Sequence, residues 1–348
     1  MKNLLFGKML RSLSIFCFVF LVNGSVLPKI QSSADILLSY DEHFGGFYGQ
    51  ISMGSPPQAF NVVIDILNSH FWVASDKCSS SQYPLCKGTK FESEKSTTYN
   101  TSGQIVQFVG SYLTNEGYVS TDIVNFGDIT LEAQEFIAAS SVRDGVDPYA
   151  FTGTLGLALG ENSSPKMKTI TEHLLESKVA TKFSLHFDSQ VNGQLNFGNS
   201  MQSPIVSAPV SDPNNWQFIA DQITVGNQKF CESTGCKVNI DSQSNFMMIP
   251  GAIAESFLQA IHAQILPGPG IIFVPAPEIP KVPNLDINVN GQIMSLNITD
   301  YSQCEPGYCV VLVSGTESAE WTLGLPFLFK YDSEFNFADK TISFKSNK

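Results

Sequence analysis

Two aspartates in matching surroundings are the residues best placed to do chemistry. Asp65 follows the apolar residues 62–64, and Asp241 follows residues 238–240, of which the first and last are apolar. A Thr-Leu-Gly sequence comes much later in each half, at residues 154–156 and 322–324. Two carboxylates in contact push their proton affinities apart, so that one stays ionised and the other stays protonated. Such a pair would set a general base beside a general acid.

The repeated pattern predicts two similar halves that place one aspartate each across a shared cleft. A single aspartate at the end of a strand is more often a turn or cap residue, but two in matching contexts favour the pair. The Pro- and Ser-containing stretch 203–213 has the composition of a linker. We therefore expect an N-terminal lobe at residues 47–206 and a C-terminal lobe at residues 207–348.

Short strands dominate the sequence from Phe47 onward. Period-two alternation and intervening turn residues predict strands at residues 60–66, 104–109, 118–126, 183–187, 195–197, 219–225 and 237–240. Helical patterns are scarce, and the best are residues 169–177 and 253–265. Evenly spaced strands with few helices predict an all-β fold.

Composition and charge narrow the class of protein. With 348 residues, 43% hydrophobic and 15% charged, the chain is globular in composition and long enough for two domains. Its formal net charge of −12 gives little attraction to phosphate backbones or anionic lipid. Nucleic acid is therefore excluded as an expected partner.

The N-terminus has the pattern of a secretory signal peptide, which we place at residues 1–24. Lys2, Lys8 and Arg11 precede an apolar run at residues 13–22, and small residues follow. A signal anchor is the alternative, but a membrane span needs roughly 20 apolar residues. Removal of the three basic residues moves the charge from −12 to −15. We expect a protein without a membrane anchor, either secreted or in a lysosome-like lumen, with residues 25–46 as a short N-terminal segment.

Cysteine usage agrees with export. Cys17 lies in the signal peptide, and the other six form three local couples that we expect to be disulfides: Cys78 with Cys86, Cys231 with Cys236, and Cys304 with Cys309. The five histidines are scattered, so neither a metal site nor a cofactor is expected. Sequons at Asn100, Asn162 and Asn297 are candidate N-glycosylation sites.

Several segments together resemble the pepsin-like aspartic proteases, the family of pepsin, cathepsin D and renin. They are residues 48–58, 63–73, 151–158, 321–328 and 329–344, and the resemblance covers nearly all of residues 47–348. It implies a bilobal β fold with a central cleft. The first two cysteine couples fall where the family has local disulfides. Cys304 and Cys309 depart from it, since the family usually bridges a longer loop there.

The resemblance implies that Asp65 and Asp241 are the catalytic pair and that a peptide binds in the cleft. The ionised carboxylate would take a proton from a bound water, which attacks the scissile carbonyl, while the other carboxyl protonates the carbonyl oxygen. Because such a pair titrates as a unit, the sequence does not say which aspartate carries the proton.

The loops after both aspartates depart from the family pattern Asp-Thr/Ser-Gly-Ser/Thr. Here the first aspartate is followed by Ile66, Leu67 and Asn68, and the second by Ser242, Gln243 and Ser244. Of the two hydroxyls that normally bond across to the other lobe, only that of Ser242 remains. Leu67 and Gln243 add side chains where glycine lets the substrate approach closely. Ser244 keeps the last hydroxyl, whereas Asn68 offers an amide.

The flap and the prosegment also depart from the family. Ungapped alignment places Gly110 where the flap tyrosine is expected, with Tyr112 two residues away. Family zymogens plug the cleft with a basic prosegment, but between residues 25 and 46 Lys29 is the sole Lys or Arg. We therefore expect no inhibitor segment of that kind.

These features leave three functions open. The first is a pepsin-like endopeptidase of reduced activity that acts through Asp65 and Asp241. The second is a catalytically inactive relative, a pseudoenzyme that binds a peptide or another ligand. The third is a secreted structural or storage protein. The first leads because both carboxylates are present, and the sequence does not indicate an oligomeric state.

Overall fold

The computed structural model describes residues 33–79, 84–109, 114–142, 150–160, 166–188, 190–231, 234–267 and 270–347. The predicted signal peptide, the flap residues Gly110 and Tyr112 and the sequon at Asn162 lie outside the described residues.

The fold is mostly β-strand, as the sequence predicts. In the first half the strands are β1 Ala34–Asp41, β2 Gly46–Met53, β3 Gln58–Asp65, β4 Trp72–Ala74, β5 Asn100–Val109, β6 Thr114–Phe126, β7 Ile129–Ser141, β8 Gly153–Gly156, β9 Lys182–Phe187 and β10 Asn192–Phe197. Between β8 and β9, the described residues contain the α-helix α1 Ile170–Glu176.

The second half of the chain also consists mostly of β-strands. Its strands are β11 Val206–Pro209, β12 Gln217–Ala220, β13 Gln222–Val225, β14 Gln228–Phe230, β15 Cys236–Ile240, β16 Met247–Pro250, β17 Gln264–Ile265, β18 Ile272–Pro275, β19 Leu285–Val289, β20 Gln292–Leu296, β21 Ser302–Glu305, β22 Tyr308–Val311, β23 Val313–Thr316, β24 Trp321–Leu323, β25 Tyr331–Asn336 and β26 Thr341–Ser346. Its helices are α2 Ala254–Ala260 and α3 Leu325–Leu328.

One large sheet runs through both halves of the chain. Its order is β11-β26-β25-β9-β10-β1-β2-β3-β8-β4-β7-β6-β5, and three smaller sheets contain β12-β15-β24-β16-β23, β14-β13-β19-β20 and β17-β18-β22-β21. The first and last strands of the chain therefore share a sheet. The predicted boundary at residues 206 and 207 falls inside β11, and the division into two lobes stays a prediction.

The helices show where local sequence decides the structure and where it does not. Helix α1 confirms the prediction at residues 169–177, because Thr169 caps it and Glu172 completes a capping box. The prediction at residues 253–265 was too long. The helix stops at Ala260, His262 has a left-handed φ of 55°, and residues 264–265 pair with β18.

The structure differs from the predicted strands at two places. Strand β1 was missed, although its residues alternate between buried and exposed, with Ala34, Ile36 and Leu38 inside. The strand predicted at residues 219–225 is two strands, since β12 pairs with β15 and β13 pairs with β19. The chain changes partner at Asp221, and its N–H group bonds to Asn288.

The core fixes the two strands that lead to the aspartates. Val62, Val63 and Ile64 in β3 are buried, as are Val238 and Ile240 in β15. Burying an aliphatic side chain of this size stabilises the fold by roughly 1.5–3 kcal/mol. Both aspartates therefore follow strands whose positions are set by the core.

All three expected disulfides are present: Cys78–Cys86, Cys231–Cys236 and Cys304–Cys309. The last one joins the hairpin strands β21 and β22 at directly paired positions. Within the described ranges, no helix is long and apolar enough to cross a membrane.

Candidate active site

Asp65 and Asp241 occupy equivalent places in two similar strand arrangements. Asp65 is the last residue of β3, which runs parallel to β8 and pairs Asp65 with Gly156. Asp241 directly follows β15, which runs parallel to β24 and pairs Ile240 with Leu323. The Thr-Leu-Gly sequences that repeat along the chain are therefore the strands that lie against the two aspartate strands.

Glycine is required after each of these Thr-Leu pairs because another backbone passes very close. A Cβ atom on Gly156 would lie 2.4 Å from the carbonyl oxygen of His70. A Cβ atom on Gly324 would lie 2.4 Å from the carbonyl oxygens of Ser244 and Phe246. These glycines let the loop after each aspartate fold back onto the neighbouring strand.

Ser242 joins the two aspartate loops. Its buried hydroxyl donates to the carbonyl oxygen of Ile64 at 2.7 Å and accepts from the N–H group of Ile66 at 3.3 Å. These two residues flank Asp65, and Ser242 itself follows Asp241. The contacts therefore bring the aspartates together.

Ile66 occupies the position equivalent to Ser242 in the first loop. Its side chain is completely buried and belongs to the main hydrophobic core. An isoleucine side chain has no group that could make hydrogen bonds equivalent to those of the Ser242 hydroxyl. Of these two equivalent side chains, only that of Ser242 makes hydrogen bonds to the opposite loop.

Asp65 is buried and accepts three hydrogen bonds from its own loop. The N–H groups of Leu67 and Asn68 donate to Oδ1 at 2.9 and 3.0 Å. The side-chain amide of Asn68 donates to Oδ2 at 2.7 Å. Both carboxylate oxygens therefore face N–H donors.

Asp241 has a different environment. The N–H groups of Gln243 and Ser244 donate to its Oδ1 at 2.7 and 3.3 Å. The hydroxyl of Ser244 points elsewhere, since it donates to the carbonyl oxygen of Phe246 and accepts from the N–H group of that residue. Ser244 thus contacts the carboxylate through its backbone alone.

The electrostatics of the pair are those of two interacting carboxyl groups. Burial raises the pKa of Asp241 from an ordinary 3.8 to about 6, the negative charge of Asp65 adds to this rise, and the N–H group of Gln243 opposes it. The charge of Asp65 thus acts directly on Asp241. A carboxyl group with such a pKa holds a proton under mildly acidic conditions.

His70 is a further ionisable group at the site, and the sequence analysis did not single it out. It is buried, and burial lowers its pKa, while the negative charge of Asp65 opposes that effect. Its ring packs edge-on against Phe108, which lies on strand β5. The sequence signal for His70 is its position five residues after Asp65. A search for metal-ligand patterns among the histidines does not detect such a position.

The residues at the two expected glycine positions differ from each other. Leu67 and Gln243 are both partly exposed. The side-chain nitrogen of Gln243 is buried without a hydrogen-bond partner, beside a backbone N–H group that contacts Asp241. An unpartnered buried amide costs about 1–3 kcal/mol. Gln243 is therefore a poorly satisfied residue beside Asp241.

A cavity of about 500 Å³ lies next to the second aspartate loop. Phe246, Leu325 and Phe329 supply apolar walls, and Tyr40 and Glu42 reach it from the first half of the chain. The hydroxyl of Tyr40 donates to the side-chain oxygen of Asn245, and the Asn245 amide donates to Gly45. These bonds hold the turn between β1 and β2 against the loop that begins at Asp241.

The remaining candidate residues lie away from this site or outside the described ranges. Asn100 and Asn297 are exposed, as glycosylation requires. Strands β5 and β6 remain paired as far as Val109 and Thr114, on either side of the flap residues.

Comparison with known proteins agrees with this geometry. The model of the eukaryotic aspartyl protease family matches residues 46–347. The chain belongs to this family. Gastricsin of Mus musculus is 30% identical over 317 residues, which is 85% of this chain and 79% of gastricsin. Cathepsin D of Dictyostelium discoideum is 28% identical over 322 residues, 86% of this chain and 82% of the relative.

Renin-2 of Mus musculus is 26% identical over 321 residues, 86% of this chain and 79% of renin-2. The family match begins at the first residue of β2 and ends one residue after β26. It therefore includes both aspartate loops and the strands that support them. The substituted loops after Asp65 and Asp241 are therefore departures from the sequence pattern of the aspartyl protease family.

Proposed function

We propose that this aspartyl protease is a pepsin-like endopeptidase in which Asp65 and Asp241 act on a bound water. The observation that supports it best is the contact between the loops, since Ser242 bonds on both sides of Asp65 and the two carboxyl charges interact. The ionised carboxylate removes a proton from water, and the water oxygen attacks the peptide carbonyl carbon. The protonated carboxyl gives its proton to the carbonyl oxygen. In the tetrahedral diol that results, the C–N bond breaks as the carboxyl that took the water proton passes it to the leaving nitrogen. The other carboxylate takes a proton from the diol, so that a carboxylic acid and an amine leave and the pair is restored.

The proposed substrate is an extended peptide with apolar side chains. The cavity beside Phe246 lies only a few residues along the chain from Asp241, and Phe246, Leu325 and Phe329 form the apolar part of its lining. The pKa of about 6 at Asp241 favours turnover under mildly acidic conditions, where that carboxyl is protonated. The three disulfides, the exposed sequons and the predicted signal peptide support a secretory or lysosome-like compartment.

A catalytically inactive peptide-binding protein is the second candidate, and the loop substitutions favour it. The side chain of Ile66 makes no hydrogen bond across the loops, and Leu67 and Gln243 add bulk where a peptide must approach. A displacement of about 1 Å in a catalytic group can lower the rate about 100-fold. This candidate keeps the cleft and its ligand but removes turnover.

Peptide cleavage separates the two. The mature, glycosylated protein should be incubated with a quenched peptide library from about pH 3 to 7, with and without a pepstatin-like inhibitor. Asp65→Asn and Asp241→Asn should abolish cleavage, and the exposed Asp128→Asn should not. Cleavage that is absent at every pH, or that resists both the inhibitor and the substitutions, would exclude the enzyme. Peptide binding without turnover would then support the second candidate.

A further inference from the structure

Another cavity, of about 550 Å³, lies where the parallel strands β16 and β23 end. This volume is in the range that holds a small molecule. Pro250 and Ile253, at the start of the turn that leads into α2, and Trp321, at the start of β24, contribute apolar surface to its walls. Among the described residues that line it, none belongs to the aspartate loops or to the cavity beside Phe246.

Gly315 lies in this lining, although the fold itself does not require a glycine there. It is part of the edge strand β23, where it pairs with Ile249 of β16. A Cβ atom at this position would have its nearest neighbours at 3.9 Å, an ordinary contact distance, and the φ angle is not left-handed. Glycine inside a strand weakens it and often marks a place where a ligand comes close to the backbone. The absent side chain therefore leaves this wall of the cavity open.

Trp321 brings an unpaired hydrogen-bond donor to the same cavity. Its side chain is buried, and its ring packs edge-on against Phe230 and Phe257. The Nε1–H group is buried as well and has no acceptor among the described residues. A buried indole N–H usually finds a partner, as that of Trp216 does in the carbonyl oxygen of Leu157 at 2.9 Å. An oxygen atom of a ligand would satisfy the donor of Trp321.

The other polar groups of the cavity narrow the class of ligand. The loop between β23 and β24 bonds to itself, since the hydroxyls of Thr316 and Ser318 accept from the N–H groups of Ser318 and Glu320. Glu317 is the only charged residue among the described residues of the lining, and it is exposed. Its carboxylate and the net charge of −12 disfavour an anion. A cation would lose its hydration at apolar walls, and an exposed carboxylate compensates this only weakly.

We propose that this cavity binds an uncharged, mainly apolar small molecule that carries a hydrogen-bond acceptor, such as a ketone oxygen. The apolar body lies against Pro250 and Ile253 and over the backbone of Gly315, and its oxygen accepts from the Nε1–H group of Trp321. Because this site is separate from Asp65 and Asp241, the inference does not rest on the proposed function.

Two matched probes test the hydrogen bond. The first is 6-propionyl-2-dimethylaminonaphthalene, an uncharged aromatic ketone, and the second is its 6-propyl analogue, in which CH₂ replaces C=O. Equilibrium dialysis against the mature, glycosylated protein at pH 7 gives both affinities. In Trp321→Phe, which keeps a packed ring and removes the donor, the ratio of ketone to propyl affinity should fall about fivefold to tenfold, the effect of one hydrogen bond. An unchanged ratio would overturn the inference.

A second variant tests the place of binding. Gly315→Leu puts a side chain into the open part of the cavity and should weaken both probes at least tenfold. Gln104→Leu, at an exposed position of β5, is the matched control and should bind as the parent does. If Trp321→Phe does not fold, Gly315→Leu still decides. Parental binding of both probes in Gly315→Leu would overturn the inference, as would displacement of the ketone by a pepstatin-like inhibitor, which would place it in the cleft.

The indole N–H group can also be observed directly. The chain has three tryptophans, so the ¹⁵N-labelled protein gives three indole resonances, and that of Trp321 is the one missing in Trp321→Phe. The ketone should shift the Trp321 proton downfield, whereas the propyl analogue should not. The resonance of Trp216 should stay in place, because its N–H group already donates to Leu157. Ketone binding that leaves the Trp321 resonance unchanged would contradict the proposed contact.

Discussion

The hydroxyl of Ser242 lies 2.7 Å from the carbonyl oxygen of Ile64, 178 residues away in the sequence. It is completely enclosed, and the same oxygen accepts from Ile66. One side chain therefore holds the backbone on both sides of Asp65 to the loop of Asp241. We therefore expect the separation of the two carboxyl groups to depend on this bond.

Ser242→Ala is expected to lower the free energy of unfolding by about 1–3 kcal/mol, because a buried carbonyl and a buried N–H group lose their partner. Denaturant unfolding measures this loss, with the exposed Ser102→Ala as the matched control. Ser242→Thr keeps the hydroxyl and should retain most of the stability. An alanine variant as stable as the parent would show that the loops are held by other contacts.

Ile66→Thr is expected to be close to neutral in stability. The threonine loses apolar burial worth about 1 kcal/mol, but its hydroxyl gains the positions equivalent to those of Ser242, the carbonyl oxygen of Ile240 and the N–H group of Ser242. Ile66→Val lacks the hydroxyl and should be the less stable of the two. Thermal unfolding compares them, and a threonine variant clearly below the valine variant would contradict the symmetry of the loops.

The stability should depend on pH through Asp241. Its pKa is about 6 in the folded protein and near 3.8 when unfolded, so the folded state binds the extra proton. The resulting stabilisation, at most roughly 3 kcal/mol, is complete below about pH 3.8 and is lost as the pH rises through 6. Unfolding of Asp241→Asn between pH 4 and 7 should lack this trend. An unchanged slope would place the proton elsewhere.

His70 should change the stability with pH in the direction opposite to that of Asp241. Burial lowers the pKa of its imidazole, so the unfolded chain takes up the proton first as the pH falls. The stability that comes from a neutral His70 is present above pH 6.5 and decreases below it. His70→Asn should reduce the loss of stability under acidic conditions, whereas the exposed His43→Asn should not. Identical acid unfolding of all three proteins would contradict this role.

Restoring the family residues should raise activity. The combined variant with Thr at Ile66, Gly at Leu67, Ser at Asn68 and Gly at Gln243 removes two bulky side chains and the unpartnered amide of Gln243. We expect an increase of about tenfold or more in kcat/KM on the quenched peptides. No increase in a correctly folded variant would place the defect outside the loops, for example in the flap.

The sequence predicted those parts of the site that depend on local pattern. The apolar runs before Asp65 and Asp241 predicted the strands that lead to them. The repeated Thr-Leu-Gly indicated two similar halves, but its parallel pairing with those strands is a feature that only the structure provides. Helix α1 was also predictable, because Thr169 and Glu172 cap it locally. The catalytic roles themselves remain proposals that the experiments above test.

The sequence did not predict features that depend on distant partners. The strand predicted at residues 219–225 is interrupted at Asp221, because β12 pairs with β15 whereas β13 pairs with β19. The hydroxyl of Ser244 bonds to Phe246 and not to the carboxylate, which its residue type does not reveal. His70 becomes relevant only because the fold buries its ring beside Asp65.

Strand β1 limits how this protein can be processed. It lies between β2 and β10 in the interior of the large sheet, with Ile36 and Leu38 among the core residues. Proteolytic maturation that removed residues beyond Ala34 would leave two rows of backbone groups unpaired and uncover apolar surface. We therefore expect residues 34–41 to remain with the folded chain, because their removal would expose the strands on either side.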